Sequence, residues 1–134
     1  MWYFDNQKVE SISDIPEGVI GFVYIITNLE TGEFYVGKKA IYSTRTLPPL
    51  KGYKRKRKVV KESSWLTYES SSEKVREWER KKKHVLEYGY SKKQLTYLET
   101  KYLFKLDALE DPKCVNENIL GKFFKGEFSK TLEN

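Results

Sequence analysis

Two short apolar runs face each other across a turn early in the chain. Phe22-Val23-Tyr24-Ile25-Ile26-Thr27 and Glu33-Phe34-Tyr35-Val36 are rich in β-branched and aromatic residues, which suit a pleated, half-buried surface. Asn28-Leu29-Glu30-Thr31-Gly32 between them is turn chemistry, so the pattern predicts a β-hairpin with a longer loop. Alternation puts Phe22, Tyr24 and Ile26 on one face and Val23, Ile25 and Thr27 on the other. A third strand is predicted over His84-Val85-Leu86-Glu87-Tyr88, ended by Gly89. Ser70 with Glu73 reads as a capping box that opens a helix to about Lys83, with Val75 and Trp78 as its apolar stripe. Ser91 with Gln94 is a second capping box, opening a helix over about 92–109. There Leu95, Leu98, Tyr102, Leu103, Leu106 and Leu109 fall on one face at helical spacing. The expected fold is α/β (α+β), a three-stranded antiparallel sheet flanked by helices.

The remaining segments are less periodic. Residues 1–20 form an N-terminal arm whose Trp2, Tyr3 and Phe4 either pack on the core or contact a second copy in a homodimer. Pro48-Pro49 forbids a regular helix after Gly37, so any helix there is short or displaced. Asp111-Pro112 ends the long helix, and residues 113–121 read as a loop with a short extended piece. The aromatic tail, 122–134, is expected to pack back on the domain. The chain thus divides into the arm, a main domain at 21–121 with an insert at about 46–69, and the tail.

Charge changes this picture more than composition does. The 134 residues suit one domain. No apolar run approaches the roughly 20 residues that span a membrane, and no secretory signal is visible, so a cytoplasmic location (host cytoplasm for a phage-encoded protein) is expected. The single Cys114 and single His84 exclude an internal disulfide, a Cys-based zinc site and a His pair. His84 itself reads as an ordinary packed or surface residue more readily than as a catalyst. Residues 1–33 carry one basic and six acidic side chains, residues 34–93 carry 18 basic and six acidic, and residues 94–134 carry six basic and seven acidic. One central block therefore holds the positive charge, as a surface that meets a polyanion does. Its densest part, residues 51–61, contains Lys51, Lys54, Arg55, Lys56, Arg57, Lys58 and Lys61 and no acid. That run is a solvated face, a localisation signal or a phosphate-binding loop. Self-repulsion without a polyanion favours the last.

The hairpin also carries chemistry. Tyr35 is followed by Gly37, where a ligand can approach the backbone, then by Lys38, Lys39 and Arg45. On the long helix, Glu99 falls inside the apolar stripe. A carboxylate there needs an ion pair, for example with Arg45 or a lysine, or a metal ion.

Tyr24-x-Ile26-x-Asn28, Tyr35-Val36-Gly37, Arg45 and a Glu within an apolar helix together resemble the GIY-YIG nuclease family. Phe22-Val23-Tyr24 stands where Gly-Ile-Tyr is usual, and Gly21 lies one place early. The insert and the Ser-Lys-Lys-Gln-Leu-Thr-Tyr-Leu-Glu helix look most like the small free-standing members encoded by bacteriophages. The resemblance implies a metal-dependent DNA endonuclease. On this chain Tyr24 would be the general base or hold the attacking water, and Tyr35 would orient that water or the phosphate. Arg45 would neutralise charge on the phosphoryl oxygens. Glu99 would bind Mg²⁺ (or another divalent cation such as Mn²⁺), and Asn116, with Asn118 in competition, would close the site. A phenol has a pKa near 10, so a tyrosine base needs a cationic field, for which Lys38, Lys39 and Arg45 are the candidates. A histidine that some relatives carry after the Arg has no match here. The rival readings are a non-catalytic nucleic-acid-binding module on the same fold and a protein-interaction domain using the acidic arm and aromatic tail.

Overall fold

A computed structural model of the chain describes residues 1–128. The hairpin forms as its pattern requires: β3 (Gly21–Asn28) pairs antiparallel with β4 (Phe34–Ala40), Tyr24 opposite Gly37 and Ile26 opposite Tyr35. The Asn28 side chain closes the turn by accepting from the Glu30 and Thr31 amides, and Gly32 takes φ +81°. β7 (Lys81–Gly89) pairs antiparallel with the other side of β3.

The sheet has five strands where the sequence suggested three. The arm supplies the other two, β1 (Trp2–Phe4) and β2 (Gln7–Val9), giving the order β2-β1-β7-β3-β4. β1 runs parallel to β7, with Trp2 opposite Lys83. Burial of Trp2 drives this. Its indole is fully buried, lies edge-on to Phe22 and Tyr24 at centroid distances of 4.9 and 5.2 Å, and donates from Nε1 to the Trp65 carbonyl at 2.8 Å.

The helix expected to run to Lys83 is also different. Only α1 (Glu73–Arg76) is helical, capped by Ser72 rather than Ser70, and residues 81–83 belong to β7. Pairing with Asn28, Thr27 and Ile26 claims those lysines for the sheet, and tertiary pairing outweighs their helix propensity. Lys83 is buried, and its ammonium donates to the Tyr68 carbonyl at 2.7 Å and sits 4.5 Å over the Trp2 ring. Burial lowers its pKa.

The second capping signal holds. Ser91 Oγ accepts from the Gln94 amide at 3.0 Å, and α2 (Lys92–Lys105) follows, shorter than the predicted 92–109. Leu106 caps it and turns carry the chain through Leu109.

Two cores result, one on each face of the sheet. Trp2, Phe22, Tyr24, Ile26, Ile41 and Trp65 fill one. Val23, Val36, Leu95, Leu98, Leu103 and Leu109 fill the other, under α2. The insert is part ribbon and part loop, its residues 48–56 forming an irregular tip. β5 (Tyr42–Leu47) pairs antiparallel with β6 (Arg57–Glu62) as a separate two-stranded ribbon. At the C-terminal end, β8 (Asn118–Ile119) pairs with β9 (Phe123–Phe124) and α3 (Lys125–Phe128) follows. The predicted tail is thus partly ordered against the domain, and its residues 129–134 lie outside the described ones. No described helix is long and apolar enough to cross a membrane.

Candidate active site

β4 is the sheet's edge, and the candidate site wraps around that edge. Tyr24 and Tyr35 project to the Trp2 face, their ring centroids 6.3 Å apart. The room for Tyr24 comes from Gly37 across the pair. A Cβ at position 37 would lie 2.5 Å from the Tyr24 hydroxyl and 2.7 Å from Cζ. Tyr24 is only 1 % exposed. Burial, reinforced by the neighbouring Tyr68 and Tyr35, drives its pKa far above the ordinary tyrosine range. The folded chain therefore holds Tyr24 as a neutral phenol. Lys38 and Lys39 do not offset this. The Lys38 ammonium donates to Thr96 Oγ1 at 2.8 Å, and that of Lys39 sits 4.3 Å over the Tyr68 ring.

The link between β6 and α1 completes a cluster of hydroxyls. The Tyr68 ring stands edge-on to Tyr24 at 6.0 Å. Ser71 Oγ lies 3.1 Å from the Tyr35 hydroxyl. Ser70 is buried with φ +97°, a backbone conformation costly for any residue with a Cβ. Two contacts hold it there. Its Oγ accepts from the Ser72 amide at 2.8 Å, and its carbonyl accepts from Arg76 Nη1 at 3.1 Å.

Tyr35 opens onto a cleft of about 450 Å³ that Ser71, Lys74, Glu99, Asn116 and Asn118 also line. Glu99 arrives there from α2, on the opposite side of the sheet from Tyr24. It makes no hydrogen bond or ion pair with the described residues, so the ion pair weighed from sequence does not form. Burial raises its carboxyl pKa against the pull of the Lys38 charge, and its own charge helps burial hold the Tyr35 phenol up. Lys74 is the cation on the cleft wall, pairing with Glu33 at 3.2 Å.

Asn116 and Asn118 both reach the cleft, with different commitments. Asn116 is buried and spends its amide on β4: Oδ1 accepts from the Val36 N–H at 2.9 Å and Nδ2 donates to the Val36 carbonyl at 2.8 Å. Asn118 is exposed and accepts from the Gly121 amide at 2.9 Å. Further along β4, a second hollow of about 390 Å³ is lined by Lys38, Lys39, Tyr68, Lys92 and Thr96. A third, apolar hollow of about 270 Å³ lies between Leu103 and the Phe123 and Phe128 rings and carries no comparable chemistry.

Arg45 is not on the cleft wall. It sits exposed in β5, opposite Val59 of the ribbon, and Lys51, Lys54, Arg55, Lys56, Arg57, Lys58 and Lys61 lie on the same ribbon and its tip. His84, on β7, borders neither cleft. Its ring is 6.2 Å from Tyr3, and burial lowers its pKa. Sequence reasoning missed Tyr68, Ser70, Ser71, Lys74 and Lys92. The serines were visible only as a helix cap, and nothing in the sequence announces the positive φ of Ser70.

A phenol, a carboxylate and side-chain amides thus converge from both faces of a β-edge on one polar cleft. A family model described as "Putative endonuclease segE, GIY-YIG domain" matches residues 2–120, and the chain belongs to this GIY-YIG family. The match begins inside the N-terminal arm, in keeping with the arm's place in the sheet. No curated protein and no solved structure matches the chain.

Proposed function

We propose that the chain is a metal-dependent DNA endonuclease, with its reaction centre in the cleft at the β4 edge. One observation carries this reading: Tyr35 and Glu99, on opposite faces of the sheet, meet around the edge of β4 in one polar cleft. Water attacks phosphorus and gives up a proton to solvent, one P–O ester bond breaks, the departing sugar oxygen takes up a proton from solvent, and negative charge builds on the phosphoryl oxygens in between. The Tyr35 hydroxyl orients the water or the phosphate. Neutral Tyr24 lies behind it and fixes Tyr35, Tyr68 and Ser70 in place, a supporting role suited to a phenol that stays protonated. Lys74 lines the cleft and the Lys38 charge bears on Glu99, so these two are the cations available to the developing charge.

The donor set fits a weakly held Mg²⁺ or Mn²⁺. No group of three or more His, Cys, Asp or Glu side chains is gathered among the described residues. Glu99 is a half-buried carboxylate without a partner there, and Mg²⁺ commonly takes one carboxylate together with waters and substrate phosphate. When bound, the ion would stabilise charge on the phosphoryl oxygens. Glu99 would hold it, with the Asn118 side chain beside it.

Nicking of supercoiled plasmid, with Mg²⁺, with Mn²⁺ and with chelator, tests the proposal. Wild-type protein is expected to nick only with metal, and Glu99→Ala and Tyr35→Phe to lose roughly 100-fold or more, a typical loss for one transition-state contact. Intact plasmid across all metals would leave a DNA-binding module in place of an enzyme. Undiminished cutting by Glu99→Ala would remove the metal assignment.

A further inference from the structure

We infer that the β5–β6 ribbon is a duplex-reading arm that enters the DNA major groove with one face, the face bearing Arg45, Arg57 and Lys61. This rests on the proposed DNA substrate and assigns Arg45 to recognition.

The register divides the ribbon into two unlike faces. Directly opposed residues share a face in an antiparallel pair. One face holds Ser43 with Lys61, Arg45 with Val59, and Leu47 with Arg57. The other holds Tyr42 with Glu62, Thr44 with Val60, and Thr46 with Lys58. Three cations and no acid stand on the first face, and one cation against one acid on the second. A run that merely keeps itself solvated has no reason to sort its charges this way.

Nothing among the described residues covers the ribbon. Residues 42–46 and 57–62 are all exposed, including 41 % of Val59 and 65 % of Val60. An isolated two-stranded ribbon is marginal in water, and crowded like charges weaken it further. Its root, by contrast, is fixed. Ile41 is fully buried, the Ser63 amide donates to the Ile41 carbonyl at 2.7 Å, Ser63 Oγ donates to the Ala40 carbonyl at 2.6 Å, and Trp65 Nε1 donates to Glu62 at 2.8 Å. A firmly rooted arm with a bare cationic face is built to meet something outside the chain.

Dimensions select the occupant. Six residues per strand give a ribbon about 20 Å long with strands about 4.8 Å apart. The major groove of B-DNA, about 12 Å wide, admits a two-stranded ribbon as it stands, whereas the minor groove, about 6 Å wide, takes one only after the duplex is bent or the groove widened. Arg45 and Arg57 have the fork that pairs guanine O6 and N7, and the tip cations Lys51, Lys54, Arg55 and Lys56 suit flanking phosphates. Because β4 runs directly into the ribbon, its root lies about 17 Å from Tyr35, about half a duplex turn from the cleft.

The test is dimethyl sulfate footprinting on a short linear duplex saturated with full-length protein in chelator, beside the plasmid assay. Wild-type protein is expected to suppress methylation of guanine N7 in the major groove and leave adenine N3 in the minor groove reactive. Arg45→Ser/Arg57→Ser/Lys61→Ser should lose that suppression and bind duplex about 10- to 100-fold more weakly, with an unchanged melting temperature because all three side chains are exposed. Lys58→Ser/Val60→Ser, on the other face, should keep the N7 footprint. Full N7 reactivity under bound wild-type protein, suppression at N3 instead, equal losses from both variants, or no duplex binding at all would overturn the inference. N7 suppression by a protein that never cuts plasmid would sink the nuclease reading alone, and cutting with full N7 reactivity would sink the ribbon alone.

Discussion

The two ends of β4 treat polar groups in opposite ways. Around Tyr24 and Tyr35 the Tyr68 ring and the side chains of Ser70 and Ser71 are packed together, tied by the Tyr35–Ser71 and Ser70–Ser72 hydrogen bonds, at the cost of backbone strain at Ser70. Past Ala40 the same strand leads into a ribbon whose cations touch almost nothing. The first region is finished before any substrate arrives. The second has a fixed root and a free face. Catalytic geometry needs the former, because a small misplacement of a reacting group is expensive in rate. An arm that must find an incoming duplex before settling into its groove suits the latter, because charge acts over a Debye length of about 10 Å, before close contacts form.

If that contrast is right, the largest damage comes from crowding the finished region. Gly37→Ala drives a methyl group into the Tyr24 phenol. A loss of about 1–3 kcal/mol in unfolding free energy is expected, read from denaturant midpoints, together with loss of nicking. A wild-type midpoint would show that the cluster is looser than described.

A smaller effect with the opposite sign is expected at Glu99. The folded state holds the Glu99 proton more tightly than the unfolded chain does. Its ionisation therefore works against the fold, and the deficit opens as pH rises through the interval between the ordinary glutamate value and the raised one. Glu99→Gln should melt higher than wild type at pH 7 while losing activity, and the gain should fade as pH drops to about 4. Equal melting at both pH values would mean that the carboxyl is well solvated or paired.

The smallest effect separates strain from hydrogen bonding at Ser70. Ser70→Ala keeps the unfavourable φ and loses the hydroxyl. Ser70→Gly loses the hydroxyl and relieves the φ. Ser70→Gly should be the more stable of the two by about 1 kcal/mol, measured by urea unfolding, with nicking impaired in both. Identical midpoints would place the strain elsewhere.

Local pattern made the hairpin, the third strand, the Ser91 cap and the inward-facing Glu99 legible, because each rests on residues close in sequence. The parallel pairing of β1 with β7 was not legible. It joins Trp2 to Lys83, and such non-local pairing leaves no periodic trace. The same reason hid the fate of residues 81–83, which look helical alone and become strand when Asn28–Ile26 lie alongside. For the site, Tyr35, Glu99 and both asparagines could be nominated from type and order, and the structure brings all four to one cleft. The serines could not, since their placement depends on a backbone conformation that Ser rarely adopts. Arg45 was nominated by the family resemblance, and the continuation of the chain as β5 carries it away onto the ribbon.

The Asn116 amide has a bearing on how the protein avoids sticking to itself. An outermost strand offers unpaired N–H and C=O groups to any passing chain. Here Val36 gives both of its outward groups to the Asn116 side chain, and Phe34 gives its own to Lys113 and Val115. A single side chain and a short parallel segment thus act as a sixth strand too short to recruit a seventh. Nascent chains that stop before residue 113 lack this cover, so self-association through β4 is the misfolding route they would take.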